Sequence, residues 1–408
     1  MAGGRKPARG AQRGERVLAV SHESLLYGAP RSLLMLAAAL RGPREVRLAS
    51  FGQGDLVAAA RKAGVPTVVL PDCRIYPDPG RRNRGIALVE RNGLRVIRRL
   101  CALRGFLRCM ALMRNVDTVY VNTILRHAPV HAGWLMRRRV VVHVREAENY
   151  LAPATARGRR HLARLFAHAD TVICVSEAVR RLVLAIPGTG LTSDQVETVH
   201  NGIRAMDFAR NPEEGMALRD WLGIPREAVV VAFVGNATER KGLDICLQAA
   251  SRLLEARDDL HFLIAGGAPD DLARFRAAHL ETPRADRVHF LGFVDDTRPV
   301  LWAADIFAML SRVEPFARVN LEASSAGCAI VATPADGNAE IYAEGDNALM
   351  VPAGDTGATV AALTRLADDA DLRARLAARA VAVVRARFTP ERCHDRIADI
   401  LHDGDPPR

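Results

Sequence analysis

Short uninterrupted apolar runs, each followed by a longer stretch of mixed character, repeat along both halves of the chain. Runs of this length bounded by turn residues read as buried strands, and the longer stretches as helices. In the first half the strands fall at 16–20, 45–50, 66–70, 117–122, 139–144, 171–175 and 196–200. Helices fall at 31–40, where Pro30 suits a first turn, around 54–63, over 94–113, and after Ser176, a natural cap. Residues 204–226 hold Pro212 and Pro225 and read as a link. The alternation restarts at Ala228, with strands at 229–235, 261–265, 287–291, 305–310, 329–332 and 349–351. An Ala-rich helical tail runs to Arg387, where Phe388-Thr389-Pro390 breaks it. Strand and helix alternating in both halves predict an α/β chain with two doubly wound parallel sheets.

Chemistry concentrates in residues 311–340, SRVEPFARVNLEASSAGCAIVATPADGNAE. Pro315 biases Glu314 away from helical angles. Leu321, Ala323 and the small residues up to Gly327 read as a short helix closed by glycine. Glu314 then sits in a loop at the mouth of the helix, and Glu322 about one turn inside. Backbone N–H groups from Phe316 to Val319 lack intrahelical partners and offer an anion site. Carboxylates beside such a site accept hydrogen bonds from hydroxyls. A ligand combining sugar, ribose and diphosphate uses all of these features.

Composition narrows the setting. At 408 residues the chain has room for about two domains, and 49% apolar residues can form a sizeable core. The net charge of +11 permits attraction to anionic membranes, nucleic acids or phosphorylated substrates and chooses none of them. Lysine occurs only at Lys6, Lys62 and Lys241. In a chain that otherwise uses arginine, Lys241, beside Arg240 at a helix start, stands out as a compact charge for a phosphate oxygen. A cationic pair at that end of a helix is otherwise unfavourable. Seven scattered cysteines without a CxxC pair point to free thiols in a reducing compartment. The basic N-terminus lacks an apolar signal core, and no apolar run reaches membrane-spanning length. A cytoplasmic protein is expected, with the N-terminus as a mobile arm. Residues 71–84, rich in Pro, Gly and Arg, read as a long loop. Arg95, Arg98, Arg99, Arg104 and Arg108 give the helix 94–113 a basic character that suits either a solvated face or an anionic lipid surface. His143, Arg145 and Glu146 lie at the C-terminal edge of a strand, where open α/β sheets bind ligands. His127 and His131 are further candidates nearby. No His/Cys/Asp group shows metal-ligand spacing, so no metal site is expected.

The sequence resembles family 4 of the glycosyltransferases, retaining enzymes of the GT-B fold. Glu314, Pro315, Phe316, Glu322, Ala323 and Gly327 match the family's donor-site signature, and Ala317 stands where glycine is usual. Lys241-Gly242 matches the family's lysine, with Asn236 in place of an arginine. Gly337 and Glu340 match a later motif, in which Asp336 replaces a glycine. Gly28-Ala29 keeps half of a Gly-Gly pair. The resemblance implies two Rossmann-like domains facing a cleft. The divisions are a basic arm at 1–15, an acceptor-side domain at 16–205, a nucleotide-sugar domain at 206–387 and a helix crossing back at 388–408. It implies that Glu314 holds donor sugar hydroxyls, Glu322 the ribose, and Lys241 and Arg240 the diphosphate. Gly28, Phe316, Ala317 and Arg318 complete the donor set, His143 contacts the donor sugar, and Arg145 and Glu146 face the acceptor. No cofactor is required beyond the nucleotide-diphosphate sugar, and carbohydrate, lipid-linked or small-molecule acceptors all stay open. Two rivals remain: a sugar-nucleotide epimerase of the same fold, and a non-catalytic basic module for membrane or nucleic acid. The absence of an aromatic-rich motif argues against nucleic acid.

Overall fold

The computed structural model describes residues 15–42, 44–71, 103–146 and 148–402. The expected N-terminal arm, nearly all of the loop 71–84 and the start of the helix 94–113 lie outside them, while residues 103–112 are helical. Two parallel sheets form the frame, as the alternating pattern predicts. The first comprises β1 (Arg16–Ser21), β2 (Glu45–Phe51), β3 (Thr67–Leu70), β4 (Thr118–Val121), β5 (Arg139–Val144), β6 (Thr171–Cys174) and β7 (Val196–Thr198). Its order is β3-β2-β1-β4-β5-β6-β7. The second comprises β8 (Val229–Val234), β9 (Leu260–Ala265), β10 (Val288–Gly292), β11 (Ile306–Met309), β12 (Ala329–Ala332) and β13 (Leu349–Met350), in the order β10-β9-β8-β11-β12-β13.

Every pairing is parallel, so helices cover both faces and the central strands are apolar throughout. All six residues of β5, RVVVHV, are buried. Each buried Val, Leu or Ile contributes roughly 1.5–3 kcal/mol through lost apolar surface.

Two segments connect the sheets, and they touch. The chain leaving β7 donates the Ile203 N–H to the Phe388 carbonyl at 3.0 Å. A Cβ at Gly202 would lie 2.1 Å from the Thr389 oxygen, so only glycine allows this approach. The helix Pro390–His402 then packs Ile397, Ile400 and Leu401 among Val17, Leu36, Leu48 and Tyr120 of the first sheet's core. Arg139 donates to the carbonyls of Leu401 at 2.6 Å and Ile400 at 2.5 Å, and so caps that helix.

A further tie runs through Glu340. Its carboxylate accepts the Glu177 and Ala178 N–H groups at 3.0 and 2.9 Å, the first turn of the helix Glu177–Leu184. The His200 Nε2 lies 2.7 Å from the same carboxylate. A carboxylate from the second half thus caps a helix of the first, where the helix dipole favours negative charge. These donors hold the Glu340 carboxyl below its usual range despite the opposing effect of burial.

Candidate active site in the cleft

Strand order reverses between β8 and β11, and ligands of open α/β sheets bind in the crevice beyond such a point. The loops leaving these two neighbours carry the candidate residues. After β8 the Thr238 side chain caps a short 3₁₀ turn, Glu239–Lys241. Gly242 follows at φ 78°, and a Cβ there would lie 2.1 Å from the Leu310 carbonyl oxygen. Glycine therefore lets this turn press against the end of β11. The contact sets the Lys241 Nζ 2.5 Å from the Glu314 Oε2. Ser311 donates its hydroxyl to the same oxygen at 3.1 Å. Side-chain exposure is 15% for Lys241 and 6% for Glu314, so this ion pair is largely shielded from water.

Asp336 and Gly337 shape the loop that carries Glu314. Asp336 adopts φ 41°, a region that aspartate tolerates better than most residues, and its Oδ2 accepts the Glu314 N–H at 3.1 Å. The aspartate thus meets the backbone demand of the glycine it replaces and adds a hydrogen bond. A Cβ at Gly337 would lie 2.1 Å from the Pro315 oxygen, so this position needs glycine. Asn236, in place of the usual arginine, is exposed.

The helix Arg318–Ser325 begins after Ala317 without a side-chain cap. Glu322 lies one turn inside and is buried; its Oε2 accepts the Thr297 hydroxyl at 3.3 Å. Arg318 Nε stands 3.8 Å from its Oε1. Burial pushes the Glu322 carboxyl up, against the pull of Arg318. Arg318 also reaches the first half, donating to Ser32 Oγ and the Gly202 carbonyl, each at 3.3 Å. Ser32 belongs to the helix Gly28–Ala39, which Gly28 opens at φ 43°.

The first sheet presents Arg145 to the same crevice. Its Nε donates to Asn122 Oδ1 at 2.9 Å, and its Nη1 to Asn201 Oδ1 at 2.5 Å. Asn122 in turn donates to the Ala29 carbonyl at 2.7 Å, and Asn201 to the Phe316 carbonyl at 3.1 Å. One guanidinium therefore links the chain after β4 to the turn at 200–203, and through it to the second half. Asn122 escapes sequence reasoning, since a lone asparagine after a strand carries no distinguishing pattern.

Four of the expected site residues are engaged in other contacts in this structure. His143 has no exposed surface: its Nδ1 makes a short hydrogen bond with the Tyr120 hydroxyl, and its Nε2 is buried without a hydrogen-bond partner among the described residues. Burial, reinforced by Arg145, holds it neutral, well below the usual histidine range. It lies in the buried C-terminal part of β5, two residues before Arg145. Phe316 turns its ring away from the crevice, packing against His200 and Phe388 with ring centroids 4.9 and 5.4 Å apart. Arg240 donates to the Val313 carbonyl at 3.0 Å and so braces the Glu314 loop. Glu146 is buried, with its carboxylate on the Arg145 N–H at 2.9 Å, and burial pushes its carboxyl up. Lys241 pairs with Glu314 and Arg318 with Glu322 in the second half, and Arg145 shares a small pocket with Arg318 from the first.

Known proteins match along most of the chain. A family described as glycosyl transferases group 1 matches residues 228–369, and one described as glycosyltransferase family 4 matches residues 27–205. A lipopolysaccharide core biosynthesis glycosyltransferase, LpsE of Rhizobium meliloti (strain 1021), is 34% identical over 180 residues, 44% of this chain and 52% of that protein. A phosphatidyl-myo-inositol mannosyltransferase of Mycolicibacterium smegmatis is 36% identical over 212 residues, 51% of each. The chain thus spans about half the length of these two relatives. LpsD of Rhizobium meliloti, another lipopolysaccharide core biosynthesis glycosyltransferase, is 29% identical over 313 residues, 74% of this chain and 83% of that one. Among solved structures, Anabaena HepE in complex with UDP and glucose has a TM-score of 0.78 at 21% identity, covering 95% of this chain and 99% of its own. WaaG, a glycosyltransferase involved in lipopolysaccharide biosynthesis, has a TM-score of 0.68 at 17% identity, covering 95% and 100%. These two share the fold. With one family matched on each side of the cleft, and the second match enclosing Lys241, Glu314 and Glu322, the chain belongs to the group 1, family 4 glycosyltransferases of the GT-B fold.

Proposed function

We propose that the protein is a retaining hexosyltransferase that moves a sugar from a nucleoside-diphosphate donor to an acceptor hydroxyl. The observation that carries this reading is the shielded Lys241–Glu314 pair at the switch point of the second sheet, beside the uncapped helix that holds Glu322. In the proposed reaction the acceptor oxygen bonds to the anomeric carbon as the bond to the diphosphate oxygen breaks. Both events occupy one face of the sugar, and the acceptor proton leaves on a departing phosphate oxygen. Lys241 and the helix N-terminus stabilise the charge that builds on the diphosphate. Glu314 orients the sugar through its hydroxyls, and Glu322 accepts hydrogen bonds from the ribose. Arg318 and Arg145 add positive charge where the two halves meet.

Uridine is the first base to test, because HepE has been solved with UDP and UDP-glucose. The names of the relatives point to a glycolipid or lipopolysaccharide-type acceptor. Thermal shift with UDP, GDP and ADP and their sugars tests the reading, since a ligand that favours the native state raises apparent stability. No shift with any of them would overturn it. Release of an isomerised nucleotide sugar without acceptor would instead favour the epimerase. Glu322→Gln is expected to weaken binding of the preferred nucleoside diphosphate by about 1–3 kcal/mol, the scale of a charge-assisted hydrogen bond. Calorimetry on the folded variant checks this, and unchanged affinity would refute the ribose role.

Contact with an anionic membrane fits one surface. Leu103 and Leu107 are each 54% exposed, one turn apart, and Arg104 and Arg108 beside them are exposed as well. No helix among the described residues is long and apolar enough to cross a membrane. A basic helix with an exposed apolar stripe lies on lipid headgroups instead. Flotation with phosphatidylglycerol vesicles is expected to show binding that falls as salt rises. It should weaken further in an Arg104→Gln, Arg108→Gln variant. No binding at low salt would leave these arginines as a solvated face.

A further inference from the structure

We propose that His127, His131 and His161 form a binding site for a divalent transition-metal cation, with zinc as the best fit. His127 and His131 lie four residues apart on the helix His127–Leu135, which follows β4, and so share one face. His161 comes from the helix Ala156–Ala167, after β5. One ring nitrogen from each lies within 4.8 Å of the others. Three imidazole nitrogens about 2.0–2.1 Å from one zinc ion stand roughly 3.4 Å apart, so small side-chain rotations complete the set. Imidazole suits zinc, copper, nickel and cobalt, and disfavours the hard cations that prefer oxygen.

The surroundings match a ligand set more closely than a packed core. The rings of His127 and His161 stack with centroids 4.4 Å apart. His131 Nδ1 lies 2.8 Å from His168 Nδ1. That contact orients the ring and leaves Nε2 for a metal, as an outer partner does in established sites. His168 is itself held flat against Trp134, with centroids 4.0 Å apart. His161 is exposed and provides the entry path. Sequence spacing conceals the group, because His161 is thirty residues from His131.

The test adds cobalt(II) to the full chain, without a polyhistidine tag and after chelator treatment, at pH 7.5. One equivalent is expected to give the visible absorption band of four-coordinate cobalt, and zinc(II) should abolish it. His131→Asn and His161→Asn should each lose the band. The second variant alters an exposed side chain and should retain the native circular dichroism. His168→Ala, which removes a positioning residue, should weaken binding roughly 10–100-fold. His289→Asn should leave the band unchanged, although His289 and His261 form a second stacked pair with nitrogens 3.1 Å apart. Lack of stoichiometric cobalt binding would overturn the proposal, as would a band that survives His161→Asn or disappears with His289→Asn.

Discussion

Replacing Lys241 by alanine is expected to cut turnover by roughly 10²–10³-fold, the loss typical of removing one electrostatic stabiliser of a developing charge. The ammonium sits where the loops after β8 and β11 meet, 2.5 Å from Glu314. The same contact predicts a second effect. Lys241→Ala leaves the Glu314 carboxylate buried, with Ser311 as its remaining side-chain donor among the described residues. Removing one partner of a shielded pair costs about 3 kcal/mol, so the melting temperature should fall too. Activity must therefore be measured where circular dichroism shows the variant folded. Lys241→Arg should recover part of the turnover, because a planar fork does not reproduce a compact charge. Arg240 is not expected to substitute for Lys241, since it is held by the Val313 carbonyl. Near-native turnover in folded Lys241→Ala would sink the diphosphate assignment.

The strands were legible because parallel strands covered on both faces are nearly all apolar. Runs such as VVVAFV and RVVVHV need no tertiary information to be found. Glu314 and Glu322 were legible because both stand in one contiguous stretch, whose proline, small residues and glycine fix a loop and a helix. The same uniformity hid the burial of His143. With all six residues of β5 buried, the sequence offers no contrast between positions that end in the core and positions that emerge at its edge. Residues 143 and 145 share a strand face by alternation, but β5 ends at Val144, and only Arg145 lies beyond it. Phe316 belongs to a conspicuous motif, yet its ring packs on His200 and Phe388, residues separated from it by more than seventy positions. The histidine group likewise depends on two helices brought side by side by the sheet order. Long-range packing of this kind leaves no local periodicity to read.

The different settings of His143 and Arg145 supply the second large effect. Arg145→Ala is expected to lower turnover by about 10²-fold, because its guanidinium holds Asn122 and Asn201 and, through Asn201, the Phe316 carbonyl beside the donor helix. A displacement of about 1 Å in such a frame can cost that much. Arg145→Lys should restore little, since one ammonium cannot reach both asparagines in the fork geometry. Nucleotide affinity should change less than turnover if the residue positions the halves, and calorimetry separates the two. His143→Gln should behave in the opposite way. Its nitrogen meets the Tyr120 hydroxyl in the core, so the loss should appear as about 1–3 kcal/mol of stability, with turnover of the folded fraction within a few-fold of native. Inactive but stable His143→Gln alongside active Arg145→Ala would reverse the assignment and return the histidine to the reacting centre.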